Sequence, residues 1–140
     1  MDKHFKEANG SPETLQNAFV AALNANNAQG MADCYASGSI SYPVGEMIGH
    51  GPEYVAEAWT GFFSAFKVIG ARLSEGHMET HGDTAIAWGF FAIIAEPAQG
   101  GEAVEMAGRY MDVARKIDGS WLYVADHASI PSAAPTISAQ

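Results

Sequence analysis

Apolar residues near the start of the chain recur at steps of three and four, the spacing of one face of an α-helix. The preceding Ser11-Pro12-Glu13 is a helix start signal, because Ser caps the first turn and Pro suits the first helical position. The Asn-rich NANN at 24–27 then breaks the pattern. The sequence therefore predicts a first helix, whose core-facing stripe consists of Leu15, Ala18, Phe19, Ala22 and Leu23.

Two further segments have helical spacing. Residues 28–36 predict a short second helix that contains the single cysteine, Cys34, beside Ala and Tyr. A thiol in this setting is typical of a buried and unreactive cysteine. Residues 52–66 predict a third helix with the heaviest aromatic face of the chain, which consists of Trp59, Phe62, Phe63 and Phe66 together with Val55.

The rest of the chain has the pattern of strands and turns. Between the second and third helices, SISYPVGEMIGHG predicts two short extended pieces around a turn at 43–45. Further turns are predicted at HGD and at Asp118-Gly119, and a loose loop at EPAQGGE. The longer strands are predicted over residues 68–80, 84–95, 103–117 and 120–128. Helices first and an antiparallel sheet afterwards indicate an α+β domain.

The Asp118-Gly119 turn predicts which residues of the last two strands face each other. A two-residue turn places Ile117 opposite Ser120, and each outward step pairs positions whose numbers have the same sum. Because side chains alternate between the faces of a sheet, the pairs fall into two sets. One face carries the pairs Lys116/Trp121, Ala114/Tyr123, Asp112/Ala125 and Tyr110/His127. The other face carries Arg109, Met111, Val113 and Arg115 opposite Ala128, Asp126, Val124 and Leu122.

The first of these faces has the candidate chemistry. Asp112 and His127 are diagonal neighbours on it, and two alanines beside them leave a gap that could admit a ligand. A carboxylate in an apolar pocket has a raised pKa and histidine titrates near neutral pH, so the two suit acid–base chemistry. The alternative is that they only satisfy each other's buried polar atoms. On the second face, Arg109 lies diagonal to Asp126, an arrangement typical of a structural ion pair.

Composition limits the classes of function. The chain has 140 residues, 48% of them hydrophobic and 16% charged, which indicates one globular domain with about residues 11–131 ordered and loose tails. A net charge of -9 with seven Lys and Arg argues against nucleic acid and anionic membranes as partners, and favours a small apolar ligand. No segment has the length of a membrane span and no apolar signal region is visible, so we expect a cytoplasmic location.

The segment GRYMDVARKIDGSWLYVADHASIP, with IGHGPEYVAEAWTGFF and DCYASGSISYP upstream, resembles the nuclear transport factor two-like superfamily. Within it, the chain is most similar to the SnoaL-like and ketosteroid-isomerase-like proteins, over about residues 14–131. The resemblance implies a cone-shaped, strongly curved antiparallel sheet wrapped around three N-terminal helices, a cystatin-like roll. It also implies an apolar cavity and a homodimer formed through the outer face of the sheet.

The resemblance also implies places for individual residues. Asp112 and His127 fall on strand positions that point into the cavity of such proteins. A tyrosine in the cavity would polarise a substrate oxygen, and an aromatic residue of the central strand could meet the ligand on one face. The predicted ligand-binding residues are Tyr42, Trp59, Phe63, Trp88, Tyr110 and Tyr123.

Two functions are compatible with these residues. The first is an isomerase, dehydratase or cyclase that acts without a cofactor on a small apolar carbonyl compound, with Asp112 and His127 as its acid–base pair. The second is a non-catalytic ligand-binding or dimerisation module, since no nucleophile elbow or phosphate loop is present. His77, Glu79 and His81 share one face of a strand, but the adjacent Gly-Asp turn indicates an exposed strand end, and no metal site is predicted.

Overall fold

The structure, a computed structural model, describes residues 9–131 as three helices and six strands. The helices are α1 (Pro12–Asn24), α2 (Ala28–Ala32) and α3 (Gly51–Ala65). The strands are β1 (Tyr35–Tyr42), β2 (Gly49–His50), β3 (Phe66–His81), β4 (Thr84–Pro97), β5 (Val104–Ile117) and β6 (Ser120–Ser129). Of the predicted loose tails, residues 1–8 and 132–140 lie outside the described residues. None of the helices between residues 9 and 131 is long and apolar enough to cross a membrane.

The six strands form one curved sheet in the order β2-β1-β6-β5-β4-β3. The α+β fold, the curved sheet and the three helices are therefore confirmed. The prediction of a wholly antiparallel sheet is wrong at one pair, because β1 and β6 run parallel. These two strands are joined by most of the chain and not by a hairpin, so no turn imposes an antiparallel arrangement on them. Within the described residues β2 and β3 are separate edges, and the sheet is open.

Local signals account for the ends of several elements. The side chain of Ser11 accepts a hydrogen bond from the Thr14 backbone at 3.1 Å, and the Thr14 hydroxyl accepts one from the Ser11 backbone at 3.0 Å. This reciprocal cap begins α1 where the sequence predicts it. Between β5 and β6, Asp118 and Gly119 have φ angles of 51° and 87°. Positive φ at both central residues is what a tight two-residue hairpin requires.

The second helix ends earlier than its spacing predicts. Tyr35, predicted to be helical, begins β1 and pairs with Tyr123 of β6. The segment YASGSISY has no strong preference for a helix, so pairing with a distant strand decides its structure. The adjacent Cys34 is buried, and burial together with the charge of Asp33 raises its pKa to about 12. This agrees with an unreactive thiol.

Two asparagines at the end of α1 fasten the helix to the edge strand β3. The side-chain amide of Asn24 donates to the backbone oxygen of Ala71 at 3.0 Å and accepts from its N–H at 2.8 Å. Asn26 makes the same two bonds with Val68, also at 3.0 and 2.8 Å. These amides occupy the place of a further strand, and an unpaired sheet edge is otherwise open to association. The asparagine run that ends the helical pattern therefore also covers part of the sheet edge.

A β-bulge changes the predicted pairing of the last hairpin. From Ile117/Ser120 to Ala114/Tyr123 the pairs are those predicted, but the register then shifts by one residue. The pairs beyond the shift are Val113/Ala125, Asp112/Asp126, Met111/His127 and Tyr110/Ala128. The predicted pairs Asp112/Ala125 and Tyr110/His127 are therefore wrong. The extra residue of a bulge breaks the period-two alternation on which that prediction depends.

The helices cover the inner face of the curved sheet and leave a cavity between them. Three residues of the predicted helical stripe of α1 are buried, namely Leu15, Ala22 and Leu23. They belong to a core cluster that also contains residues of α2, α3 and the sheet. A cavity of about 400 Å³ remains between α1, α3 and the inner faces of the strands. The candidate site lies in this cavity, which the packing of the helices on the sheet leaves unfilled.

Candidate active site

The cavity is lined mainly by apolar side chains that come from both helices and the sheet. Its wall includes the side chains of Phe19 of α1, Trp59 and Phe62 of α3, Phe91 of β4 and Met106 of β5. Its volume of about 400 Å³ lies in the range of small-molecule sites. A few polar groups from β1, β5 and β6 interrupt this apolar wall, and a mainly apolar lining with few polar groups is typical of such sites.

Two aspartates face each other across β5 and β6. Asp112 and Asp126 are direct cross-strand partners, and both line the cavity. Partners of this kind have Cβ atoms about 5 Å apart. Both side chains are half-buried, with part of their surface on the cavity and the remainder against protein. Two carboxylates in such a position do not readily ionise together, so the pair is suited to share one proton.

Burial raises the pKa of both carboxyls, but their partners differ. The pKa of Asp112 lies well above its usual range because burial disfavours the charged form and the charge of Asp126 adds to this, while the backbone N–H of His127 acts in the opposite direction. Burial also raises the pKa of Asp126, against a hydrogen bond from Tyr35 and the charge of His127. These influences favour the proton on Asp112 and the negative charge on Asp126.

Three aromatic rings pack against one another beside Asp126. The ring centroids of Tyr35 and Tyr123 are 5.4 Å apart, and Phe19 lies 6.2 and 6.0 Å from them. The hydroxyl of Tyr35 donates a hydrogen bond to Oδ2 of Asp126. Burial, followed by the charges of nearby aspartates, raises the pKa of both tyrosines well above its usual value. Both phenols therefore keep their protons at neutral pH, and Tyr35 remains a donor.

The structure places half of the predicted ligand-binding residues on the cavity wall. Trp59, Tyr110 and Tyr123 line the cavity, and their contact with a ligand stays a prediction. Phe63 does not reach the wall, because it packs on Trp59 and Phe62, with centroid distances of 5.6 and 6.0 Å. Phe62 takes the predicted place of Phe63 in the lining.

Tyr42 and Trp88, the other two predicted ligand-binding residues, belong to the outer face of the sheet. Trp88 stacks on His77 with centroids 5.6 Å apart, and Tyr42 lies 6.2 Å from the ring of His127. Neither lines the cavity. On β4 the inner face instead carries the alternate positions that include Phe91, which is why Trp88 points outward.

The bulge exchanges the predicted places of Asp126 and His127. His127 pairs with Met111, and its side chain is exposed beside Tyr42, although the residue still borders the cavity. Asp112 therefore has Asp126 as its direct partner, where the sequence predicted Ala125 with His127 on the diagonal, and a catalytic role for His127 stays a prediction. The predicted ion pair between Arg109 and Asp126 is wrong, because Arg109 pairs with Ser129 while Asp126 lines the cavity.

The sequence does not identify two residues of this site, Tyr35 and Asp126. Tyr35 lies within the helical spacing of residues 28–36, so the sequence does not place it on a strand. Asp126 was hidden by the bulge, although one signal was present, because LYVA at 122–125 is a run of apolar residues without alternation. A break in alternation near a hairpin is compatible with a bulge and a change of face.

The histidines considered for a metal site lie at an exposed strand end. Nε2 of His81 is 3.3 Å from Oε1 of Glu79, and both side chains are exposed. His77 is engaged with Trp88 on the outer face. In the part of the chain that the structure describes, no three side chains of the metal-binding types come together.

Solved structures share this architecture. A candidate calcium/calmodulin dependent protein kinase II association domain from Xanthomonas campestris is 22% identical with a TM-score of 0.75, over 87% of this chain and 86% of that one. A candidate scytalone dehydratase from Novosphingobium aromaticivorans is 14% identical with a TM-score of 0.77, over 86% and 81%. A ketosteroid isomerase-like protein from Erwinia carotovora atroseptica is 18% identical with a TM-score of 0.73, over 90% and 98%. At these identities the likeness concerns the fold.

The sequence comparisons define the family. No curated protein matches the chain. The family model of the SnoaL-like domain matches residues 17–124, which is more than half of the 140 residues. The match includes Asp112 and ends just before Asp126. The chain therefore belongs to the SnoaL-like family.

Proposed function

We propose that this protein is an acid–base enzyme that isomerises, dehydrates or cyclises a small apolar carbonyl compound without an organic cofactor. The observation that carries the proposal is the pair of facing aspartates, Asp112 and Asp126, in a cavity whose wall is otherwise mainly apolar. Perturbed carboxyls in a cleft are a recognised mark of catalytic sites. Two solved structures of this fold carry the names of a candidate dehydratase and of a ketosteroid isomerase-like protein, which agrees with this class of reaction.

The two aspartates have complementary roles in the proposed reaction. The neutral Asp112 gives its proton to the carbonyl oxygen of the substrate, while the carboxylate of Asp126 takes a proton from the adjacent carbon, and an enol forms. In an isomerase, Asp126 returns its proton to a different carbon and Asp112 takes back the enol proton. In a dehydratase, the proton on Asp126 leaves with a substrate hydroxyl as water, and Asp112 again recovers its own. Each cycle thus restores one proton to the pair.

The surroundings of the pair support this division of roles. Tyr35 donates to Asp126 and so favours its charged form, which a base requires. The charge of His127 acts on Asp126 in the same direction, and we assign His127 this electrostatic role beside the pair. Aromatic walls from α1 and α3 hold the apolar body of the substrate and limit water, which strengthens the electrostatic interactions at the reacting oxygen.

Proton exchange tests the proposal without knowledge of the natural substrate. Deuterium incorporation next to the carbonyl of small cyclic ketones is followed by NMR in heavy water. We expect Asp112→Asn and Asp126→Asn each to slow the enzyme-catalysed exchange about 100-fold or more, the usual contribution of a general acid or base. Asp83→Asn, at an exposed carboxyl, changes the charge equally and serves as the control. Unchanged exchange in both active-site variants would refute the proposal and favour a non-catalytic binding module.

The outer face of the sheet supports a second proposal, a homodimer. Five residues lie in one cross-strand row on this face, and they are His77, Trp88, Met111, His127 and Tyr42. Met111 is 53% exposed and the adjacent Phe90 is 46% exposed, and large apolar side chains that are exposed next to each other are typical of an interface. We propose that a second copy of the chain covers the row, and the oligomeric state in solution is its test.

A further inference from the structure

A second polar group lies in the cavity, away from the aspartate pair. Tyr110 and Asp112 are two residues apart on β5, so both side chains belong to the inner face, and both line the cavity. The ring of Tyr110 extends across the neighbouring strands. Its Oη lies 2.9 Å from the place of a Cβ on Gly89 of β4, and 3.2 Å from that of a Cβ on Gly76 of β3. The hydroxyl therefore ends over β4 and β3, on the opposite side of β5 from Asp126.

The backbone is shaped around this hydroxyl. Gly89 is the direct partner of Tyr110, and Gly76 lies within a register irregularity of β3 between Ser74 and His77. Glu75, at this irregularity, has a φ of 49°, a left-handed conformation that is unfavourable for a non-glycine residue. A side chain at Gly89 would also meet the Gly76 Cα at 3.0 Å. Both glycines thus leave the space that the phenol occupies.

Gln16 of α1 approaches the same hydroxyl from the helix side and also lines the cavity. Burial and then the charge of Asp112 raise the pKa of Tyr110, and the Gln16 side chain acts in the opposite direction. The phenol therefore keeps its proton at neutral pH and can donate it to an acceptor on a ligand.

We propose that Tyr110 binds a second oxygen function at the far end of the substrate. The inference rests on the proposed function, since the aspartates act on the first oxygen. The two sites lie two residues apart along β5 and one to two strands apart across the sheet. These spacings correspond to a distance on the order of 10 Å. With a hydrogen bond at each end, the space between the two oxygens is filled by one or two fused rings. The substrate class is therefore a compact ring ketone with a hydroxyl or carbonyl opposite the reacting carbonyl.

A pair of probe ketones tests this inference. 1-Tetralone has one oxygen on two fused rings, and 6-hydroxy-1-tetralone adds a hydroxyl at the opposite end. We expect the wild type to bind the hydroxylated compound about 3- to 10-fold more tightly, the usual contribution of one neutral hydrogen bond. In Tyr110→Phe the ratio of the two dissociation constants, measured by titration calorimetry, should fall to about one. Equal affinities in the wild type, or no binding of either compound, would overturn the inference.

Two glycine variants separate the position of the phenol from general damage to β3. In Gly76→Ala the new methyl group meets only the Tyr110 hydroxyl within 4 Å, so the phenol must move, and the affinity ratio should fall. Gly70→Ala, in the same strand, meets nothing within 4 Å and should keep the wild-type ratio. A ratio that changes equally in both glycine variants would contradict a specific role of Tyr110.

Asp112→Asn distinguishes failure of this inference from failure of the proposed function. Loss of proton exchange with the affinity ratio retained is the result expected if both are correct. If the wild type catalyses proton exchange but binds the two ketones with equal affinity, the second oxygen site is refuted and the acid–base proposal stands. Absence of exchange in the wild type, with a ratio that disappears in Tyr110→Phe, would leave a binding site without chemistry.

Discussion

Asp112→Asn is expected to stabilise the protein at neutral pH while it removes the proposed activity. Asparagine keeps the shape of the side chain and removes its ability to ionise, so the variant isolates the cost of a charge on Asp112. That cost arises first because burial disfavours the charged form of Asp112, and second because its direct cross-strand partner, Asp126, is also a carboxyl. A group that destabilises the fold but carries the chemistry is common in active sites.

The geometry of the pair gives the size of the effect. Direct cross-strand partners are about 5 Å apart, and two unit charges at this distance repel by about 3 kcal/mol when the effective dielectric constant is about 20. Water in the cavity screens part of this repulsion, and protonation of one partner relieves another part. We therefore expect Asp112→Asn to raise the free energy of unfolding by about 1–2 kcal/mol at neutral pH.

The gain should depend on pH in one direction. The pKa of Asp112 is raised in the folded protein, whereas in the unfolded chain it is about 3.9. The folded state thus holds a proton that the unfolded state releases, and the stability of the wild type falls as the pH rises from about 4 through the raised pKa. Below about pH 4 both states hold the proton, so the wild type and the variant should be equally stable.

Urea unfolding at about pH 4 and about pH 7.5 measures this difference directly. Asp83→Asn is the matched control, because it removes one exposed carboxyl and should change stability little at either pH. If Asp112→Asn is no more stable than the wild type at about pH 7.5, neither burial nor Asp126 disfavours a charge on Asp112 in the fold. If its gain is the same at both pH values, the gain does not come from ionisation.

Two further predictions concern Tyr35 and the outer face. Tyr35→Phe removes the donor to Asp126, and we expect it to lower the free energy of unfolding by about 1–3 kcal/mol in urea and to slow proton exchange; unchanged exchange would show that Tyr35 is only structural. Met111→Lys places a charge at the centre of the cross-strand row on the outer face and should convert the dimer to a monomer in light scattering after size-exclusion chromatography. Met47→Lys, at an 88% exposed loop position, is the control, and a wild-type monomer would refute the dimer.

The parts of the fold that the sequence predicts well depend on local signals. The Ser11-Pro12-Glu13 start of α1 and the Asp118-Gly119 turn act over a few residues, and both lie where the sequence places them. The pairing next to the turn is correct as far as Ala114 and Tyr123, because a tight turn fixes only the register near it. The face that Asp112 occupies is also predicted correctly, because it follows from alternation along β5 and does not depend on the pairing with β6.

The parts that the sequence does not predict depend on contacts between distant segments. Tyr35 belongs to a strand because β6 offers a partner almost ninety positions later, whereas the helical spacing of residues 28–36 extends past it. Phe62 and Phe63 are neighbours on one helix, and only the packing of α3 on the sheet decides which of them reaches the cavity. Local patterns contain no information about either choice.

The bulge between the two parts of β6 connects the shape of the sheet with the chemistry of the site. A sheet that curves around helices must bend its strands, and a bulge bends a strand while it adds one residue to it. That extra residue reverses the faces of all positions beyond it, and so brings Asp126 inward and turns His127 outward. The irregularity associated with curvature of the sheet therefore also brings the second carboxylate into the cavity. Alternation fails as a guide at this point because the site depends on a departure from regular structure, as functional sites often do.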